Sequence, residues 1–426
     1  MTHQTKTAPL SRRAWLRATA LGVGSGLYWP FPATAARRSA KPRLAAIVTE
    51  YRPFSHADVI VGRLLKGYTF GVEPYAPRTQ VVSMHVDQTP QADLSRVMSA
   101  HFGYRIEPTI ERALSQDGSS LDVDGVVIIG EHGNYPHNEK GQHMYPRRQF
   151  FEETVRAFEK CGRSVPVFND KHLGYAWEDA RWMYDQSRAL DFPLMAGSSL
   201  PTTWRRPDLE IELEEELDDA LVVAYGGVES YGFHALETLQ CMIERRRGGE
   251  SGVRGVTCLE GQAVWTAAHE GRWSRELLDV ALGCSDRSYN GSPEDRCPQP
   301  IAFLIEHSDG FRSAVLLLNG YVGEFYFAGH RRSNGEALAT EFWLQEPGFG
   351  HFSYLTHNIE SMFLSGEEPY PPERTLLTTG ILDAAMTSRY KQHQRIPTPW
   401  LAGLNYRAST ASGRRAVVAE QVQVAS

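Results

Sequence analysis

The chain has 426 residues, 42% hydrophobic and 22% charged, a composition that supports a packed body and argues against extensive disorder; at this length two domains are expected rather than one. The formal net charge is -7, with basic residues scattered among acidic ones and no basic stripe, so nucleic acid is not an expected partner. The five cysteines, Cys161, Cys241, Cys258, Cys284 and Cys297, form no C-x-x-C pair, which sets aside zinc-ribbon and dithiol-redox classes; Cys284 and Cys297 flank a polar stretch and could close a disulfide in an oxidising compartment.

Residues Ser11-Arg12-Arg13-Ala14-Trp15-Leu16-Arg17 precede a modestly apolar run from Ala18 to Phe31, and Ala33-Thr34-Ala35 puts small residues where a signal peptidase cuts. This is the pattern of a twin-arginine signal over residues 1–35, and it implies delivery by the twin-arginine translocase to the periplasm or another extracytoplasmic space. The run holds glycines and is shorter than the roughly 20 apolar residues of a spanning helix. No other stretch is long and apolar enough, so the mature chain is expected to carry no integral membrane segment. Twin-arginine export moves folded proteins, which suits a protein that takes up a bound cofactor before it leaves the cytoplasm.

In the mature chain, Leu44 to Val48 reads as a strand and Ala57 to Leu65 as an amphipathic helix. Val81 to Val86 is a second strand ending at Asp87, Leu94 to His101 a helix, and Val126 to Ile129 a fully buried strand. Helix Phe150 to Lys160, strand Val165 to Phe168, helix Trp177 to Leu190 and strand Phe192 to Ala196 continue the alternation. Strands and helices alternating in this way predict a parallel α/β, Rossmann-like sheet over residues 36–200, with ligands beyond the carboxyl ends of the strands. Past a boundary near Pro201, strands at Ile301–Glu306, Ser313–Leu318 and Glu324–Ala328 join helices at Ala235–Arg245 and Leu376–Ser388. They predict an α+β domain with an open antiparallel sheet over 201–426, whose last helices return to the first domain.

Two stretches carry a family resemblance. Val165-Pro166-Val167-Phe168-Asn169-Asp170-Lys171-His172 leads into a helix and then Pro193-Leu194-Met195-Ala196-Gly197; Gly226-Gly227-Val228-Glu229-Ser230-Tyr231-Gly232-Phe233-His234 is a glycine-rich approach to a helix. In order and spacing they resemble the glucose-fructose oxidoreductase/inositol dehydrogenase (Gfo/Idh/MocA) family. There the first strand ends in Glu-Lys-Pro and the helix carries Asp-x-x-x-His. Here the triplet is Asp170-Lys171-His172, and Ser230 stands where the aspartate would be. The resemblance implies an oxidoreductase acting on a sugar or polyol with NAD or NADP, and a homo-oligomer built on the open sheet. A lysine ammonium suits that chemistry because it hydrogen-bonds a hydroxyl and stabilises an alkoxide, while a histidine takes the proton. Lys171 and His234 fit those roles, with Asp170 holding the lysine charged and oriented.

The chain departs from the family at the nucleotide loop. The first strand should run into G-x-G-x-x-G, yet it runs into Thr49-Glu50-Tyr51-Arg52-Pro53-Phe54-Ser55-His56, with no glycine and an acid that repels a diphosphate. Arg52 would compensate by pairing phosphate, Ser55 would cap the helix that starts at His56, and Asp87 stands where an acid holds the adenosine ribose. Thr49 and Gly130 complete the expected cofactor contacts.

From Gly130 to Arg148 the chain is rich in polar and aromatic groups. His132, His137, Tyr145 and Arg147 there, with Tyr231, are expected to contact sugar hydroxyls. The loop's three histidines and two glutamates could hold a divalent metal as an alternative, and His56, His85 and His172 could join them in space. Three readings remain at this level: a nucleotide-dependent oxidoreductase; a nucleotide-independent lyase or hydrolase, with or without a metal, acting on an oxidised sugar; and a noncatalytic sugar-binding protein.

Overall fold

The strands of the first sheet are built around unbroken apolar runs, Leu44–Val48 and Val126–Ile129, because a strand covered on both faces has no solvent side to keep polar. In the computed structural model, which describes residues 41–409 apart from 72, 286–288 and 345–347, these strands are β1 (Arg43–Val48), β2 (Gln80–Val86), β3 (Arg105–Glu107), β4 (Gly125–Ile129), β5 (Val167–Asp170) and β6 (Leu194–Gly197). The export signal and the end of the chain lie outside the described residues. All neighbouring pairs are parallel and the order is 3-2-1-4-5-6, the doubly wound order. Ala45 and Ile47 of β1 enter one core, and Leu44, Ala46 and Val48 enter the other. The order reverses direction between β1 and β4, so the ligand crevice of such a sheet lies beyond Val48 and Ile129.

The second sheet has eight strands. Those expected near Ile301, Ser313 and Glu324 are present as Ile301–His307, Arg312–Leu317 and Phe325–Arg331, joined by Leu217–Ala224, Val253–Glu260 and Ala337–Trp343, with short strands Trp204–Arg206 and Ile396–Pro397 at the edges. The sheet is antiparallel except where Leu217–Ala224 runs parallel to Arg312–Leu317. Side chains alternate between its faces with the strand period of two. Ala220, Val222 and Ala224 share a core with helices Ser230–Ile243 and Glu373–Tyr390 and with β4 and β5. Leu221 and Val223 pack instead under Trp265, Trp273, Leu277 and Leu278 of the segment that follows Val253–Glu260. Helices Gln262–His269 and Arg275–Gly283 thus cover this second face.

Two C-terminal helices reach the first sheet. His351–Ser365 contributes Leu355, Ile359 and Met362 to the core under helix His56–Lys66, and Thr375 of Glu373–Tyr390 donates its hydroxyl hydrogen to the Ala196 carbonyl at 2.9 Å. The carboxyl ends of β4, β5 and β6 consequently meet the start of helix Ser230–Ile243. Cys284 and Cys297 are both free thiols, so the disulfide open to them on sequence grounds is not formed.

Candidate active site

Where these elements meet, a cavity of about 680 Å³ is lined by Lys171, His234 and Glu131 together with Tyr225, Tyr231 and Phe325. Lys171 follows β5 directly, and its backbone takes the left-handed conformation (φ 62°) that costs a side-chain-bearing residue about 1–2 kcal/mol. Both of its backbone groups pair with Gly197, N–H to carbonyl and carbonyl to N–H, each at 3.1 Å. Gly197 must be glycine: at its φ of 124° a Cβ would stand 2.5 Å from Glu237 Oε2. Strain held by such a clamp at a cavity wall is characteristic of functional positions.

Lys171 Nζ donates to His234 Nε2 at 3.0 Å and lies 3.2 Å from Glu131 Oε1. Burial, reinforced by the charges of Lys171 and His56, holds His234 far below the usual imidazole value. It is therefore neutral, accepts from the lysine at Nε2 and donates from Nδ1 to Ser198 Oγ at 2.6 Å. Burial works to raise the Glu131 carboxyl, but Lys171 and Arg147 together overcome it and keep the group ionised well below the ordinary range. Arg147 donates to Glu131 Oε2 at 2.5 Å and to His172 Nε2 at 3.0 Å. The result is a buried chain of charge and proton carriers running from Ser198 to His172.

This corrects the expectation for Asp170. The carboxylate that meets Lys171 is Glu131, from the loop after β4, while Asp170 Oδ2 accepts from His56 Nδ1 at 2.7 Å. Asp170 ends the strand and Lys171 leaves it in the left-handed conformation, and the two have separate partners. Ser198 and Glu229 were not anticipated as site residues and neither adjoins one in the chain, so no local signal marked them; Glu131, between Gly130 and His132, lies in the loop singled out for its polar groups.

The loop after β4 borders the cavity with His132, His137, His143, Tyr145 and Arg147. His137, His143 and Tyr145 stack in series with centroids 4.3 and 4.0 Å apart. His132 sits edge-on to His56 at 5.5 Å, and burial lowers it to about 4, so it is neutral at pH 7. His132 Nε2, His172 Nδ1 and Glu229 Oε1 are buried and make no hydrogen bond within the chain. Tyr231 lies at the rim, its ring parallel to Phe325. His85 is elsewhere: its ring packs on Phe150 and bonds the Glu107 carbonyl. Among the described residues no three of His, Cys, Asp and Glu are grouped to hold a metal ion, so the histidines of this loop are not a ligand set.

Glu229 adds a pH dependence. Burial raises it to about 7, against the His143 N–H at 2.7 Å and the Arg147 charge. A folded value above the unfolded 4.5 means that the protonated form stabilises the fold. That stability is present below pH 4.5 and is lost as pH rises through about 7. Glu229→Gln is expected to flatten the dependence of unfolding free energy on pH across this window, measured by urea denaturation at several pH values; an unchanged slope would show that Glu229 ionises as an ordinary carboxyl.

Of the expected cofactor contacts only His56 borders the cavity. Thr49 Oγ1 donates to the Glu131 carbonyl at 2.6 Å, Glu50 is ion-paired with Arg52, and Ser55 caps its helix by accepting from Asp58 N at 3.3 Å. Asp87 accepts from the Tyr135 hydroxyl at 2.6 Å. Gly130 is small for another reason: a Cβ there would stand 2.6 Å from Arg147 Cγ, so the residue makes room for the buried arginine.

Neither a protein-family model nor a curated protein matches the chain in sequence. Solved structures do match it in shape. GenD2 from gentamicin A biosynthesis, in complex with NAD, has a TM-score of 0.54 at 13% identity, covering 87% of this chain and 99% of its own. The apo scyllo-inositol dehydrogenase from Lactobacillus casei has 0.51 at 10%, covering 84% and 98%. A probable dehydrogenase from Thermotoga maritima has 0.51 at 11%, covering 84% and 99%. The chain has the inositol dehydrogenase fold. Identities this low carry the architecture alone.

Proposed function

We propose that the protein is a carbohydrate- or polyol-directed enzyme of the Gfo/Idh/MocA oxidoreductase family, exported by the twin-arginine route. The observation that carries the reading is Lys171 Nζ at 3.0 Å from a neutral His234 Nε2 on the wall of the cavity. Lys171 has one N–H on His234, one toward Glu131 and a third for a substrate oxygen. Its ammonium stabilises negative charge developing on that oxygen, and His234 accepts the proton when the lysine gives one up. The aromatic rings of Tyr225, Tyr231 and Phe325 and the polar side chains of His132, His172 and Glu229 that line the cavity suit a ligand with apolar faces and many hydroxyls.

Two reactions use such a pair. Oxidation of a carbinol carbon needs a hydride acceptor as well, and the doubly wound strand order and the NAD found with GenD2 favour it. Elimination from an oxidised sugar needs proton transfers alone: the proton α to a carbonyl passes to His234, the electron pair of its C–H bond forms the C=C bond, and the β-hydroxyl takes a proton from Lys171 and departs as water. The Thr49–Ser55 turn, with its acid and without glycine, favours this second reaction.

Calorimetric titration of the mature protein with inositols, aldoses and uronic acids tests the substrate class. A ligand is expected to bind, and His132→Ala or His137→Ala is expected to weaken it by about tenfold, the scale of losing one or two hydrogen bonds. If none of these compounds binds, or both variants bind as wild type does, the carbohydrate reading is wrong. Export rests on Arg12-Arg13 and the residues after them; fractionation that finds the protein in the cytoplasm overturns that part.

A further inference from the structure

We propose that the chain's own residues from Glu131 to Tyr135 stand in the place of the adenosine half of a dinucleotide, and that the cavity works without free NAD or NADP. In a sheet of this order a dinucleotide lies across the carboxyl ends of β1, β2 and β4. The residues present there do not fit one. Glu50 is 6% exposed and pairs with Arg52, so the one cation of the turn is already engaged. The start of helix His56–Lys66, which would receive the diphosphate, is closed from within. Asp58 N donates to Ser55 Oγ, and the Asp58 carboxylate accepts from Phe54 N at 3.0 Å, which adds a second negative charge at the spot. Tyr51, fully buried, fills the space beneath, where its hydroxyl would lie 3.5 Å from a Cβ on Gly62.

The loop is then clasped over these ends. Thr49 holds the Glu131 carbonyl, and Gln88, next to the end of β2, grips Asn134 from both sides: Asn134 N donates to Gln88 Oε1 at 2.9 Å, and Gln88 Nε2 donates to Asn134 O at 3.3 Å. Tyr135 donates to Asp87, the acid that would otherwise hold a ribose. Gly133 permits the fold-back, since at its φ of 100° a Cβ would stand 2.7 Å from the Tyr135 ring. The same loop delivers Glu131, His132 and Arg147 to the cavity, so its seat on β1 and β2 also positions the partners of Lys171. A dinucleotide entering in the usual way would have to displace them.

This inference rests on the carbohydrate reading and selects, of its two reactions, the one that needs no hydride acceptor. The test uses the mature protein with NAD, NADH, NADP and NADPH as probes. Acid denaturation is expected to release no adenine nucleotide, titration to show no saturable binding up to about 1 mM, and the Asn134 amide to keep its protection from hydrogen exchange when NAD is added. Released nucleotide, saturable binding or loss of that protection overturns the proposal. None of these outcomes bears on whether sugars bind, so its failure is distinguishable from failure of the carbohydrate reading.

Discussion

Lys171→Met is expected to fold and to lose turnover by about a hundredfold or more, the scale of removing a positioned proton-transfer group. Methionine keeps the length and the apolar stem of the side chain, so the packing around β5 is retained. Glu131 keeps Arg147 at 2.5 Å as its counter-charge, so no anion is left unpaired. What disappears is the ammonium that faces the substrate oxygen and the donor to His234. Binding of a sugar found by titration is expected to change little while kcat falls, because the lysine acts most strongly on charge that appears in the transition state. Relieved of Lys171, His234 is expected to titrate closer to the ordinary imidazole value, which nuclear magnetic resonance of the histidine ring reads independently of activity. Near-normal turnover would take Lys171 out of the chemistry, and an unchanged His234 titration would show that the two groups are not coupled.

Glu131→Gln is expected to cost about 3–5 kcal/mol of folding stability, the range for removing one partner of a buried ion pair. Here the loss falls on two cations at once: Lys171 and Arg147 are 4% and 1% exposed, and Glu131 is the carboxylate between them. Glutamine matches the shape, so packing does not confuse the measurement by urea denaturation. The sign of the pH effect follows from a folded value depressed below the unfolded 4.5. Wild type has this contribution in full above pH 4.5 and loses it as pH falls toward the folded value; the variant lacks it throughout. Stability within about 1 kcal/mol of wild type would mean that the cluster is solvated and that its charges need no mutual compensation.

The strands that line the candidate site were readable from sequence because their signal is local. Val126 to Ile129 is an unbroken apolar run, and the helices between strands have the 3.6-residue spacing, so a parallel sheet with ligands at its carboxyl edge followed from periodicity. β3 escaped because three residues, Arg105-Ile106-Glu107, at a sheet edge carry no periodic signal. Leu217–Ala224 is half acidic at its start, and its pairing with Arg312–Leu317 joins residues about ninety apart, which no local pattern records. The motifs around Lys171 and His234 were likewise visible as short strings at strand and helix ends. Which carboxylate Lys171 meets was a tertiary matter, since Glu131 and Asp170 are equally acidic on paper and only the turn after β4 brings one of them to 3.2 Å. The missing glycines showed that the nucleotide loop had changed, but not what had replaced it. Tyr135 reaching Asp87 across 48 positions, and Gly130 making room for Arg147, are facts of how the loop lies on the sheet, and long-range contacts of that kind are set by the packing of the whole domain rather than by any segment read alone.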